Sequence, residues 1–200
     1  MVETEPRPAS FVAADTHDGV RVLGLRNPPV NALSFVVSSE LVAQIEAAEA
    51  DPSIVAVVIT GSNGIFSAGA DIADFLREPA PDAKSVRDVV AAIERSDKTY
   101  VAAIDGNALG GGLETALACD YRLATAAAKV GLPEILLGLI PGAGGTQRLP
   151  RLLATKNAYN YGGVQMALQF MLEGKPKAAK AAKGMGIVDE LVEGDLVASA

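Results

Sequence analysis

Cysteine and histidine are almost absent: Cys119 is the only thiol and His17 the only imidazole in 200 residues. A single thiol has no internal disulfide partner, which fits a reducing and, by expectation, cytoplasmic setting. The same scarcity removes the side chains most zinc sites are built from, so metal catalysis is not expected and no metal ligand is assigned. Long apolar runs are missing too. No stretch approaches the ~18 apolar residues of a membrane span, and the opening MVETEPRPAS lacks the apolar core of a secretory signal, so no membrane partner is expected. Positive charge is scarce: 17 Lys and Arg against 24 Asp and Glu leave a formal charge of −7. Neutralising phosphates takes Lys and Arg, so nucleic acid is not an expected partner, and a polyanionic ligand would have to rely on locally placed backbone donors. No GxxxxGK[ST] segment occurs, and GNALGGG lacks the GxGxxG spacing of a dinucleotide-binding turn.

Half of the residues are hydrophobic, which suits one compact α/β domain with a substantial core. SFVAADTHDGVRVLGL alternates apolar residues around Asp18-Gly19, predicting a β-hairpin. NPPVNALS reads as a turn, after which Ser34 or Ser38 can cap a helix carrying Leu41, Val42, Ile45 and Ala48 that stops at Asp51-Pro52. IVAVVIT (54–60) and TYVAAI (99–104) have the length and β-branching of buried strands. Each runs into a small-residue turn and then a helix, the second predicted from about Leu113 to Ala124. The passage from AAAKVGLPEILLGLI into PGAGGTQRLPRLL repeats the pattern. Helices around Val164 to Leu172 and Pro176 to Lys183 follow, the Lys175 to Lys183 cluster reading as a solvated face. The repeats suggest stacked strand-loop-helix turns of one unit.

The turns AGAD and GGG both open helices after buried strands, where unpaired N–H groups can receive an anion or a developing oxyanion. One such turn is better explained by close strand–helix packing; two at matching places favour function. PGAGGTQR could also bind an anion, although a tight turn with close packing is its simpler role. Glu114 enters a helix that is apolar on nearly every side, and Glu134 follows Pro133 in VGLPEILLGLI. A carboxylate in such surroundings is costly unless paired or used. An acid in a first helical turn can also serve only the helix dipole. Two of them in apolar segments make a general acid/base pair plausible, because apolar surroundings raise a carboxyl pKa while the dipoles oppose the rise. His17 reads as part of the exposed hairpin turn, Cys119 as a small buried hydrophobe and Asp71 as a helix cap.

FSAGADI (66–72), GNALGGGLETALACD (106–120) and GLPEILLGLIPGAGGTQRL (131–149), in that order and spacing, resemble the enoyl-CoA hydratase/isomerase (crotonase) superfamily. RNPPVNALS and RLPRL look most like the hydratase module of multifunctional fatty-acid oxidation proteins. The resemblance covers essentially the whole chain as one domain and implies a crotonase-like spiral of ββα repeats. It implies that the amides of Ala70 and Gly111 form an oxyanion hole for an acyl-CoA thioester, and that Glu114 and Glu134 are the catalytic pair. One would activate water for attack at C3 and the other would assist proton delivery at C2. It further implies CoA or substrate contacts from Asn31, Ala32, Leu33, Ala68, Gly69, Gly110, Asp71 and Ile72. No cofactor is implied, since coenzyme A is part of the substrate, and the expected assembly is a homo-oligomer, trimer or hexamer. Retention of both glutamates favours hydration of a 2-enoyl-CoA in β-oxidation over Δ3-Δ2 isomerisation. The alternative from another class is a non-catalytic acyl-CoA-binding module.

The chain departs from the family in two places. Ala73-Asp74 follow GADI where relatives often carry a Lys for the CoA phosphates, leaving Arg26 or another basic residue to supply that charge. The chain also stops at Ala200, where relatives usually continue with helices that cover the acyl pocket.

Overall fold

A computed structural model describes residues 10–156 and 161–200; the Pro-rich lead lies outside them. Strands β1 (Val12–His17) and β2 (Val20–Leu25) form the predicted hairpin. Its turn residues Asp18 and Gly19 have φ of 49° and 83°, the mirror-image turn whose twist matches the strands it joins. The first helix, α1 (Phe35–Ala50), is capped by Ser34, whose Oγ accepts the Val37 N–H at 3.3 Å, while Ser38 is buried inside it. Val37, Leu41, Val42, Ile45 and Ala48 recur at helical spacing and form its buried face.

The chain continues through β3 (Ala56–Gly61), a 3-10 turn (Ile72–Leu76), α2 (Val86–Arg95), β4 (Thr99–Ile104), β5 (Asn107–Leu109) and α3 (Gly111–Ala118). Next come β6 (Tyr121–Thr125), β7 (Lys129–Gly131), a second 3-10 turn (Pro133–Leu137), α4 (Gly145–Lys156) and α5 (Tyr161–Glu173). It closes with β8 (Lys177–Ala178), α6 (Ala179–Met185), β9 (Glu190–Val192) and α7 (Leu196–Ser199). No helix among the described residues is long and apolar enough to cross a membrane.

The main sheet has the order β1-β2-β3-β4-β6-β9, antiparallel at the hairpin and parallel beyond it. A second layer is built from β5-β7-β8 and extended by single parallel bridges, Ser67 with Ala108 and Leu33 with Ala70. After β2, β3, β4 and β6 alike, the chain therefore passes through this second layer before entering a helix or 3-10 turn. That is the expected spiral of ββα repeats. Central strands alternate between two apolar clusters, as parallel strands covered on both faces must. Val57, Ile59, Ala102 and Ile104 face the larger cluster under the helices, whereas Val58, Val101, Ala103 and Leu123 face a smaller one closed by Leu196 of α7.

One predicted element needs correction. The helix expected to reach Ala124 ends at Ala118, and Tyr121–Thr125 is a strand. Asp120 explains the switch: its N–H donates to Tyr100 O and its Oδ2 accepts the Tyr100 N–H, at 2.9 and 2.8 Å. These bonds draw the following residues into register beside β4, with Val101 opposite Tyr121. Sheet pairing, a long-range interaction, overrides the local helical pattern. The tail differs less, α6 beginning at Ala179 because Lys177–Ala178 pair with β7.

Candidate active site

The spiral brings the ends of several repeats around one cavity of about 540 Å³. Ala68, Gly69, Ala70, Asp71 and Ile72 supply one wall, and Gly110, Gly111 and Glu114 at the entrance of α3 supply the floor beside them. Leu33 closes one side and Glu134 the other. Two backbone segments nearly touch here. A Cβ built on Gly111 would lie 3.3 Å from Ala70 N, and one on Gly69, whose φ is +103°, would lie 2.7 Å from Leu109 O and 3.2 Å from Gly111 N. Among the described residues neither the Ala70 nor the Gly111 N–H donates a hydrogen bond. Two free amides from adjacent repeats thus face one cavity, an arrangement that can receive a developing negative oxygen.

The two carboxylates differ in their surroundings. Glu114 is 3% exposed, and its Oε1 accepts the N–H groups of Ala143 and Gly145 at 2.8 and 2.7 Å. Gly145 is the first residue of α4, so the anion that PGAGGTQR can bind is the protein's own carboxylate, held at a helix N-terminus. Burial raises the Glu114 pKa; the Gly145 and Ala143 amides and then the charges of Arg148 and Arg87 pull against that rise. Glu134 has weaker support. Its Oε2 is buried without a hydrogen-bond partner among the described residues. Burial, aided by the negative charge of Glu114 and opposed by its own backbone N–H, pushes Glu134 up to about 7. One site therefore holds a supported carboxylate and a carboxyl poised to carry a proton near neutrality, the pattern that separates base from acid.

Asn31 and Ala32 do not line this cavity. Asn31, 2% exposed, instead braces its wall from behind: its Nδ2 donates to Ser62 O and Ile65 O at 3.0 and 2.7 Å. Ser67 Oγ donates to Asn31 O at 2.7 Å and accepts the Gly69 N–H at 3.1 Å. Arg26 lines a separate depression of about 190 Å³, and among the described residues the only cation lining the main cavity is Arg87. Asp71 caps the first 3-10 turn as expected, its Oδ1 accepting from Ala73 N at 2.9 Å. His17 is exposed. Cys119 is buried, and burial pushes its thiol up to about 12, which rules it out as a neutral-pH nucleophile. No group of three or more His, Cys, Asp or Glu among the described residues could hold a metal ion.

Residues 15–200 match the model of the enoyl-CoA hydratase/isomerase family. The chain belongs to this family. As a member of the enoyl-CoA hydratase/isomerase family, it is 45% identical over 184 residues to the human peroxisomal bifunctional enzyme, covering 92% of this chain and 24% of that protein. It is 41% identical over 174 residues to the probable enoyl-CoA hydratase of Bacillus subtilis, covering 84% and 64%. Among solved structures, an enoyl-CoA hydratase from Bacillus anthracis superposes with a TM-score of 0.80 at 33% identity, covering 92% of this chain and 70% of that one. The ββα spiral is therefore the crotonase-like fold of the enoyl-CoA hydratase/isomerase family. The chain spans about a quarter of the length of the multifunctional relative. Residues missed in the sequence are Arg87, Arg148 and the amide donors Ala143 and Gly145; the signal lay in GAGGTQR, whose partner could not be named from spacing.

The Glu134 environment has a measurable consequence for stability. Its folded pKa of about 7 exceeds the ordinary 4.5, so the folded state holds the extra proton and stability falls as pH rises between those values. Glu134→Gln removes that penalty. Its melting temperature is expected to exceed wild type by a degree or two at about pH 8 and to match it at about pH 5, a small shift because the group is only partly buried. Equal differences at both pH values in a thermal melt would contradict the assignment.

Proposed function

We propose that the chain is an enoyl-CoA hydratase, adding water across the 2,3 double bond of a 2-enoyl-CoA to give a 3-hydroxyacyl-CoA in fatty-acid β-oxidation. The pairing of Glu114 and Glu134 beside the free amides of Ala70 and Gly111 carries this reading. The amides form the oxyanion hole and receive the thioester oxygen. Leu33, Ala68, Gly69, Asp71, Ile72 and Gly110 contact the CoA and acyl portions, with Asn31 bracing the wall from behind. Glu114, with one oxygen already occupied, uses the other to take a proton as water oxygen bonds to C3. The C2–C3 π electrons move to an enolate whose charge rests on the thioester oxygen. As that charge returns, Glu134 gives its proton to C2. Water has then added its hydroxyl to C3, Glu114 has gained a proton and Glu134 has lost one, and a proton passing between them through solvent resets the site.

Crotonyl-CoA tests the reading directly: purified protein is expected to abolish the absorbance of the conjugated thioester with formation of 3-hydroxybutyryl-CoA. Binding without that loss would leave a non-catalytic acyl-CoA module. kcat/KM is expected to be bell-shaped in pH. Its alkaline limb lies near 7, because Glu134 must be protonated, and Glu114 protonation causes the acid limb. A flat profile from pH 6 to about 9 would remove Glu134 as the acid.

Δ3-Δ2 isomerisation is the second reading, favoured by Glu134 itself, since a carboxyl near 7 beside an oxyanion hole can shuttle a proton between C4 and C2. A 3-enoyl-CoA substrate separates it from hydration. The reading needs no cofactor, because coenzyme A arrives with the substrate, and treats residues 1–200 as one hydratase domain. A reducing compartment such as the cytoplasm fits the single buried Cys119. Homo-oligomerisation, as a trimer or hexamer, is supported by the exposed stripe Tyr161, Val164, Leu168 and Leu172 along α5.

A further inference from the structure

The loop that holds Glu114 is itself held from α2 at two points. Arg87 Nε donates to Gly142 O at 2.7 Å. Arg148 Nη1 donates to Ala143 O at 2.8 Å, while its Nε donates to Glu94 Oε1 at 2.7 Å and its Nη2 pairs with Glu94 Oε2. Arg87 and Glu94 are seven residues apart, two turns along one face of α2. The turn is built around the second contact: at Gly144, with φ +102°, an added Cβ would lie 1.9 Å from Arg148 Nη1. The carbonyls of Gly142 and Ala143 are thus bound from outside, while the amides of Ala143 and Gly145 point inward to Glu114 Oε1.

We propose that Arg87 and the Glu94–Arg148 pair form a clamp on the Gly142–Gly145 loop, and that Arg87 and Arg148 are positioning residues that aim the free oxygen of Glu114 into the cavity. This rests on the hydratase reading for its kinetic consequence, but the clamp itself is a property of the fold. The reasoning is geometric. Two N–H donors fix one carboxylate oxygen, so the direction of the other follows from where the loop sits, and two hydrogen bonds from Arg87 and Arg148 set the loop, with Glu94 holding Arg148 in turn. Planar guanidinium groups suit this task because each can bind a carbonyl, and Arg148 a carboxylate as well, in a fixed orientation. The charged groups around Glu114 are Arg87 on α2, Arg148 on α4 and Glu134 beyond β7. Both cations therefore also favour its anionic form.

Arg148→Gln is expected to lower kcat for crotonyl-CoA hydration by about 100-fold with KM within about twofold, since an ångström of misplacement costs catalysis more than binding. The acid limb of the pH–rate profile moves to higher pH. Arg148→Lys, which keeps the charge, restores the limb but only part of kcat. Arg87→Gln moves the same readouts less and carries the test if Arg148→Gln does not fold. A carboxyl titration by 13C NMR on glutamate-labelled protein, with the Glu114 signal assigned by its loss in Glu114→Gln, follows the clamp independently of turnover. A rise in the Glu114 titration in folded Arg148→Gln or Arg87→Gln supports the clamp even if wild type proves inactive, which would overturn only the hydratase reading. Unchanged titration and unchanged kcat in folded variants overturn the clamp.

Discussion

Glu114→Gln is expected to reduce crotonyl-CoA hydration by roughly 10³-fold while leaving substrate affinity within a few-fold. The size follows from what the side chain alone supplies. A glutamine carbonyl can still accept the Ala143 and Gly145 N–H groups, so the loop, the clamp and the cavity stay in place. What is lost is the second oxygen as a base: the amide presents N–H donors toward water instead of accepting its proton. The amides of Ala70 and Gly111 remain to hold the thioester, which keeps binding and leaves residual polarisation. Glu134→Gln is expected to lose less, roughly 10²-fold, and to lose the alkaline limb near 7 as well. Steady-state kinetics with crotonyl-CoA, paired with isothermal titration of an unreactive acyl-CoA, separate the two effects. Retention of more than about a tenth of wild-type kcat by Glu114→Gln would take the residue out of the chemistry.

Asp189→Ala is expected to produce the largest loss of stability, about 3–5 kcal/mol, read from the urea midpoint. Arg122 and Asp189 are both 4% exposed at their side chains and form an ion pair between β6 and the segment entering β9. The guanidinium also donates to Ile187 O at 3.0 Å and Cys119 O at 2.7 Å, and Asp189 Oδ2 accepts the Arg122 N–H at 3.0 Å. Lys156 reaches the other Asp189 oxygen at 2.8 Å. Removing the aspartate strands a buried cation that cannot lose its proton, and no water reaches it cheaply. The double change Arg122→Met with Asp189→Leu removes both charges and is expected to cost much less, the mark of a pair whose breaking hurts more than its absence. Equal losses in the two variants would mean that packing, rather than the unpaired charge, dominates.

Much of the site was legible because it is built from local devices. A carboxylate in an apolar helix, a glycine cluster after a buried strand and a helix-capping serine each show themselves within a few residues of chain. Glu114 and Glu134 stood out in this way, whereas Ala70 and Gly111 were singled out within the two small-residue turns only by the family resemblance. A CoA contact for Asn31 came only from the family resemblance; its side chain faces Ser62 and Ile65, and no spacing along the chain reveals which way a buried amide points. The overlong helix toward Ala124 failed because Asp120 and Tyr100, 20 residues apart, exchange hydrogen bonds that end it.

Residue order by itself determined the repeating strand-turn-helix pattern and marked the two carboxylates in apolar segments, because hydrophobic periodicity and turn chemistry act over short stretches. Only the tertiary structure decided which carboxylate is supported and which is poised to carry a proton. That difference depends on desolvation and on donors 29 and 31 residues away from Glu114, in a loop anchored to a third helix. Electrostatics acts through space, and the sequence is read along the chain.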